Sequence, residues 1–268
     1  MNQKTHEQEV ADGDRFAFGE NWARFLRLLD EQRIQQAVDS LKQMLEVRDL
    51  QDKRFLDIGS GSGLFSLAAK RLGARVVSFD YDPKSVACTK ELRRRYFEDD
   101  NDWQVQAGSV LDREYLSQLG RFDIVYSWGV LHHTGSMWEA LANADLNVSA
   151  NGKLFIALYN NQPFASRYWQ FAKRTYNKHP FSRPFFVLLH AIYPTLPRVL
   201  LRLMQNRSYP RGMNAWYDLL DWLGGYPFEV STPQQVFDFY KKHGYRLEML
   251  RTVGGTHGCN EFVFQRNS

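Results

Sequence analysis

The run Leu56-Asp57-Ile58-Gly59-Ser60-Gly61-Ser62-Gly63 constrains this chain more than any other feature. Arg54 to Ile58 reads as a short buried strand and Leu64 to Arg71 as a helix, so a glycine-rich turn joins them. Glycine has no Cβ, and such a turn lets a ligand touch backbone. The start of the next helix offers unpaired N–H groups to anything negative. Asp80 stands 23 residues after Asp57, at the end of a second predicted strand. An acid there can accept both hydroxyls of a ribose.

The alternation continues. Strands are predicted over 53–58, 75–80, 102–107, 122–127 and 152–159, and helices over 62–72, 83–97, 112–118 and 136–146. Asp82-Pro83 opens the second helix with a capping acid and a proline in the first turn. This order predicts a parallel sheet with helices on both faces and a ligand outside the carboxyl ends of the strands. Further on, Ser231-Thr232-Pro233 opens a helix that stops near Gly244, and Tyr245–Thr252 and Glu261–Arg266 read as an antiparallel pair. Ahead of the first strand, residues 16–46 carry Trp22, Phe25, Leu28, Leu29, Ile34, Val38, Leu41 and Leu45 at helical spacing.

Two ligand classes fit the glycine turn. Dinucleotide sites need glycines at the first, third and sixth places, and the sixth place here is Leu64. Asp57, just before the first glycine, is awkward beside a pyrophosphate and suits a positively charged group such as an amino acid's ammonium. On these motifs, from about residue 52 to 160 with a strand-helix tail at 232–266, the chain resembles the class I S-adenosylmethionine-dependent methyltransferases, in particular their quinone-biosynthesis-like small-molecule branch. The resemblance implies a doubly wound, Rossmann-like α/β sheet of seven strands, mostly parallel with an antiparallel last strand. It further implies an N-terminal helical lid over 1–50, a core over 51–160 and 231–268, and a helical cap insertion over 161–230. The leader could equally pack on the sheet; as a lid it would bring Phe16, Phe18 and Trp22 nearest the ligand.

By the same resemblance S-adenosylmethionine is the cofactor. Asp57 and the backbone of Gly59, Ser60 and Gly61 would hold its amino-acid end, Asp80 its ribose and Tyr81 its adenine face. Ser109 and Val110 would read the adenine edge; many members carry Asp where Ser109 stands. The backbone carbonyl of Ser127 would meet the ammonium, and Trp128 would pack near the sulfonium, where an aromatic face attracts a cation. Methyl transfer needs alignment and exclusion of water more than covalent help. A base serves only where the nucleophile must lose a proton, and a histidine can do this near neutral pH. His132, Tyr176 and His257 are the expected catalytic residues, and Trp22, Tyr159, Asn160, Tyr217, Tyr226 and Asn260 the expected acceptor-binding ones. No metal-ligand spacing stands out.

Length and composition agree with one catalytic domain plus additions: 268 residues, 44% hydrophobic and 15% aromatic. Two cysteines, Cys88 and Cys259, give no disulfide framework, and the polar start lacks a signal peptide's apolar core, so a reducing cytoplasm is expected. The net charge of +4 is uneven. Between Asn147 and Tyr217 there are ten Lys or Arg residues and no Asp or Glu. This block is either a solvated face or a meeting place for an anionic partner, including a membrane surface. Within it, Phe185 to Met204 is apolar but interrupted by Pro194, Pro197, Arg198 and Arg202, which disfavours a spanning helix. A helical cap is the preferred reading, with an interfacial helix as the alternative.

The expected function is methyl transfer to a small molecule enclosed by lid and aromatic cap. An alternative keeps the cofactor but moves its aminocarboxypropyl arm, or closes that arm into azetidine-2-carboxylate, releasing methylthioadenosine. A nucleic-acid substrate is disfavoured: the Asn/Asp-Pro-Pro-aromatic signature of amino-methylating DNA enzymes is absent, and Ser127-Trp128-Gly129-Val130 stands in its place. A cofactor-sensing module without turnover would need the same glycine turn.

Overall fold

The computed structural model describes residues 4–98, 100–192, 215–254 and 258–268. A seven-stranded sheet organises them, in the order β3-β2-β1-β4-β5-β7-β6. The strands are β1 (Arg54–Ile58), β2 (Arg75–Asp80), β3 (Trp103–Ala107), β4 (Phe122–Trp128), β5 (Val148–Tyr159), β6 (Tyr245–Arg251) and β7 (Cys259–Arg266). β7 alone runs antiparallel to its neighbours; β1 through β5 pair in parallel. Chain order reverses between β1 and β4, so β1 and β4 diverge at their carboxyl ends and open a crevice there.

Strand side chains alternate between two cores. Phe55 of β1 joins Val76, Trp103, Tyr126 and Phe155 on one face, while Leu56 and Ile58 join Val125, Leu154 and Phe262 on the other. The helices between strands are α4 (Leu64–Arg71), α5 (Pro83–Tyr96), α6 (Arg113–Leu119) and α7 (Met137–Asp145), with α11 (Pro233–Lys242) before β6. Asp82 and Asp112 cap α5 and α6 through their carboxylates, and Thr232 with Gln235 closes a capping box on α11.

The predicted helical leader is broken in two, because Leu29 turns extended and Asp30 starts a new helix by accepting the Arg33 amide. The earlier part holds α1 (His6–Ala11) and α2 (Gly19–Leu28); the later part is α3 (Glu31–Leu45). α3 belongs to the core. Ile34, Leu41, Met44 and Leu45 are almost wholly buried on it, each worth about 1.5–3 kcal/mol of burial. α1 and α2 lie instead against the carboxyl edge of the sheet, where the Gly19 amide donates to Asp82 at 2.7 Å.

The insertion forms a third cluster of its own. α8 (Pro163–Lys178), α9 (Arg183–His190) and α10 (Ala215–Gly224) gather Trp169, Ala172, Tyr176, Phe186, Leu219 and Leu223. Phe228 completes it, and Tyr159 at the end of β5 packs against it. The expected stretch to Met204 lies outside the described residues beyond Ile192.

Because Phe155 fills the central strand β5 edge-on against Tyr126 at 5.1 Å, Phe155→Ala should cost about 3–5 kcal/mol of unfolding free energy. Urea unfolding followed by fluorescence reads this directly.

Candidate active site

The glycine turn adopts backbone that other residues resist. Gly59, Gly61 and Gly63 all have positive φ, at 76°, 54° and 81°. A Cβ at Gly59 would fall 2.4 Å from Val130 Cγ1, and one at Gly61 would lie 3.0 Å from Trp22 Nε1. The turn is thus a shallow cradle between Val130, in the loop after β4, and Trp22 of α2. Amides of Gly59 and Ser60 donate to the Phe79 carbonyl, and the Ser60 hydroxyl meets that of Thr89 at 2.9 Å.

Two carboxylates flank the cradle. Asp57 is buried, accepts the Ser66 hydroxyl at 2.5 Å, and is pushed up to about 7 by burial. Ser66 also meets Ser78, which accepts the Trp103 indole N–H, so a buried polar chain holds the first acid. Asp80 accepts the Gly61 amide on one oxygen and the Asp82 amide on the other, both at 2.9 Å. Burial raises it to about 6. No cationic side chain among the described residues pairs with either acid.

At the carboxyl end of β4, Leu131–His133 forms one 3-10 turn. His132 is wholly buried, and its ring lies on Tyr159 with centroids 3.9 Å apart. Its Nδ1 accepts the Tyr159 amide at 3.3 Å, while its Nε2 has no partner among the described residues. Burial lowers its pKa well below the ordinary value, with the neighbouring His133 and Lys173 adding to the effect. The ring is therefore neutral, and with Nδ1 accepting it carries its proton on Nε2. His133 Nδ1 donates to the Pro227 carbonyl at 2.6 Å and, chiefly through burial, titrates at about 3.

The N-terminal segment and the residues around the insertion meet at these histidines. Phe18 packs on His133 at 5.0 Å, and Arg15 donates to the His133 carbonyl at 2.8 Å. The Phe16 amide donates to the Tyr226 carbonyl at 2.9 Å, and Lys178 pairs with Asp14. Trp222 and Phe228 sit 5.5 and 5.3 Å from Tyr159. Lys173, wholly buried, donates to the Trp222 carbonyl and sets its ammonium over the Trp222 and Phe228 rings at 4.3 and 5.0 Å. Lys173 was not singled out from the sequence. Its signal was there: it shares the apolar stripe of α8 with Trp169, Ala172 and Tyr176.

The other expected residues fall into distinct places. Ser127 donates to the Ile58 carbonyl at 3.0 Å, tying β4 to β1 beside the turn. Trp128 turns along the other face of the sheet and donates to Glu261 at 2.7 Å. Tyr81 is covered by the N-terminal segment: it donates to the Lys4 carbonyl, and Arg15 lies 5.0 Å from its ring centroid. Ser109 accepts the Leu111 amide, and Val110 is buried with its carbonyl on Asn143. Asn160 and Asn260 bind each other at 3.0 Å and hold Gly254 and Val253, which anchors the loop between β6 and β7. Tyr176 lies in the cap's own core with the Arg183 guanidinium 5.6 Å from its ring. His257 and the side chain of Tyr217 lie outside the described residues.

With this geometry in place, comparison with known proteins is decisive for the family. The sequence profile of a family described as a methyltransferase domain matches residues 29–190, more than half of the chain. The chain belongs to this family. Among curated relatives, a ubiquinone biosynthesis O-methyltransferase of Xanthomonas oryzae is 32% identical over 117 residues, 44% of this chain and 47% of the relative. A ribosomal protein L11 methyltransferase of Prochlorococcus marinus is 40% identical over 75 residues, 28% and 25% of the two chains. The matched part thus spans about half or less of these relatives' length. The fold matches magnesium protoporphyrin IX methyltransferase from Synechocystis with bound S-adenosylmethionine, at TM-score 0.58 and 11% identity over 100% of both chains. It also matches a Burkholderia thailandensis 1,6-didemethyltoxoflavin-N1-methyltransferase with bound S-adenosylhomocysteine, at TM-score 0.53 and 14% identity over 100% and 92%.

The residues present fit that cofactor. Two buried acids without a cation call for a positively charged ligand, and the cradle between Val130 and Trp22 admits no side chain at the turn. Gly59→Ala should weaken S-adenosylhomocysteine binding at least tenfold by calorimetry, since the methyl would strike Val130 in a disfavoured backbone region. Affinity should also depend on pH. A cationic ammonium binds the ionised acids, whose raised pKa values leave them partly protonated near neutrality, so binding should strengthen from pH 6 to 8. Asp57→Asn should flatten that slope.

Proposed function

We propose that this chain transfers a methyl group from S-adenosylmethionine to a small molecule held at the carboxyl edge of β4 and β5, between lid and cap. S-adenosylmethionine is the cofactor, and its sulfonium supplies an already activated methyl carbon. Asp57 faces the ammonium, and Asp80 shares its remaining lone pairs with the ribose hydroxyls. Two buried histidines held neutral add no positive charge beside a cationic cofactor.

The observation that carries the reading is the Nε2–H of His132, buried without a partner among the described residues. Buried donors are almost always satisfied, so a ligand atom is the natural acceptor here. In this tautomer His132 holds and orients the acceptor's heteroatom by donation. To take a proton it would first have to release the Tyr159 amide. Tyr159, Trp222 and Phe228 wall the same place with aromatic faces, which suits an acceptor with a planar or apolar part. The enclosure aligns nucleophile, methyl and sulfur and keeps water out.

His132→Phe, which keeps a ring but has no N–H, should lower turnover roughly a hundredfold, the usual loss for one preorganised donor, while S-adenosylhomocysteine still binds within about threefold of wild type. Equal loss of binding and turnover would remove the acceptor role. The reaction class is read by incubating pure protein with S-adenosylmethionine, with and without cell extract, and identifying products by mass spectrometry. S-adenosylhomocysteine formed only with extract is the expected result. Methylthioadenosine without extract would instead assign chemistry at the propyl arm.

A further inference from the structure

The outer side of the cap combines two properties that a solvated surface rarely holds together. Phe164 and Phe181 expose 88% and 83% of their surface, and Phe171, Phe185, Leu188 and Ile192 each expose more than half. Scattered apolar residues on a surface need no explanation, but large ones recurring along two packed helices do. α8 and α9 are tied on this side by the partly exposed Tyr168, whose hydroxyl meets His190 Nε2 at 2.8 Å. Exposed Arg167, Arg174 and Arg183 are interleaved with the aromatic residues, and no Asp or Glu occurs from residue 161 to 192.

We propose that this face docks the protein on an anionic lipid bilayer. Apolar side chains would enter the headgroup boundary while the arginines pair with lipid phosphates and carboxylates. The charge pattern selects this occupant. A second copy of the same face would set arginine against arginine, and a nucleic acid would leave the aliphatic Leu188 and Ile192 without a partner. The contact is peripheral: among the described residues no helix is long and apolar enough to cross a membrane. The inner side of α8 carries Trp169 and Lys173 toward Trp222, so docking would use the back of the cap and leave the candidate site's wall in place.

The test is flotation of the full chain with vesicles of phosphatidylcholine alone or with roughly a third phosphatidylserine, in low and high salt. The chain should float with the anionic vesicles only, and less in high salt. Phe164→Ser, Phe181→Ser and Phe185→Ser combined should reduce the bound fraction at least tenfold. Arg167→Gln and Arg174→Gln should each cost about fivefold at low salt. Circular dichroism and S-adenosylhomocysteine binding report that each variant is folded. Three results would overturn the proposal: no flotation with either vesicle, flotation unchanged by both variant sets, or a concentration-dependent dimer that the phenylalanine variant abolishes. In the first case, retention on single-stranded RNA would point to a nucleic acid instead.

Discussion

Two carboxylates lie at adjacent strand ends with no cationic side chain paired to them among the described residues, and the site is arranged around that fact. Taking a carboxylate out of water is costly unless something compensates it. Here the compensation is partial: a serine hydroxyl for Asp57 and two backbone amides for Asp80. Both acids consequently hold their protons to unusually high pH. The amide of Gly61 makes Asp80 part of the turn itself.

The second feature is that the N-terminal segment ties together the loop after β4 and both ends of the inserted segment. Phe16, Phe18 and Arg15 reach Tyr226 and His133 by packing and by hydrogen bonds to carbonyls, and Lys178 reaches back to Asp14. Such contacts are individually modest and mostly polar, the kind that can open without unfolding the sheet. The core helix α3, by contrast, is fixed by deep apolar burial.

Much of this was legible in the sequence because its signals are local. The glycine turn, Asp80, the Asp82-Pro83 helix start and the alternation of strand and helix announced the sheet and the two acids beside the turn. Side-chain direction was harder to read. The indole N–H of Trp128, at the end of β4, is spent on Glu261 of β7. Asn160 and Asn260, singled out as polar groups at strand ends, use their amides on each other. Partners of this kind lie a hundred residues or more away, and nothing in the spacing of the chain announces them.

The sequence by itself determined the order of elements, the acids at the ends of β1 and β2, and the turn that only glycine can make, since these depend on backbone conformation and short-range periodicity. Tertiary structure alone decided which tautomer His132 holds, that α3 is deeply buried while α1 and α2 lie at the carboxyl edge of the sheet, and that Lys173 is buried in an aromatic enclosure. Each of those rests on desolvation and on contacts between distant segments, and burial acquires a value only once the chain has closed around the residue.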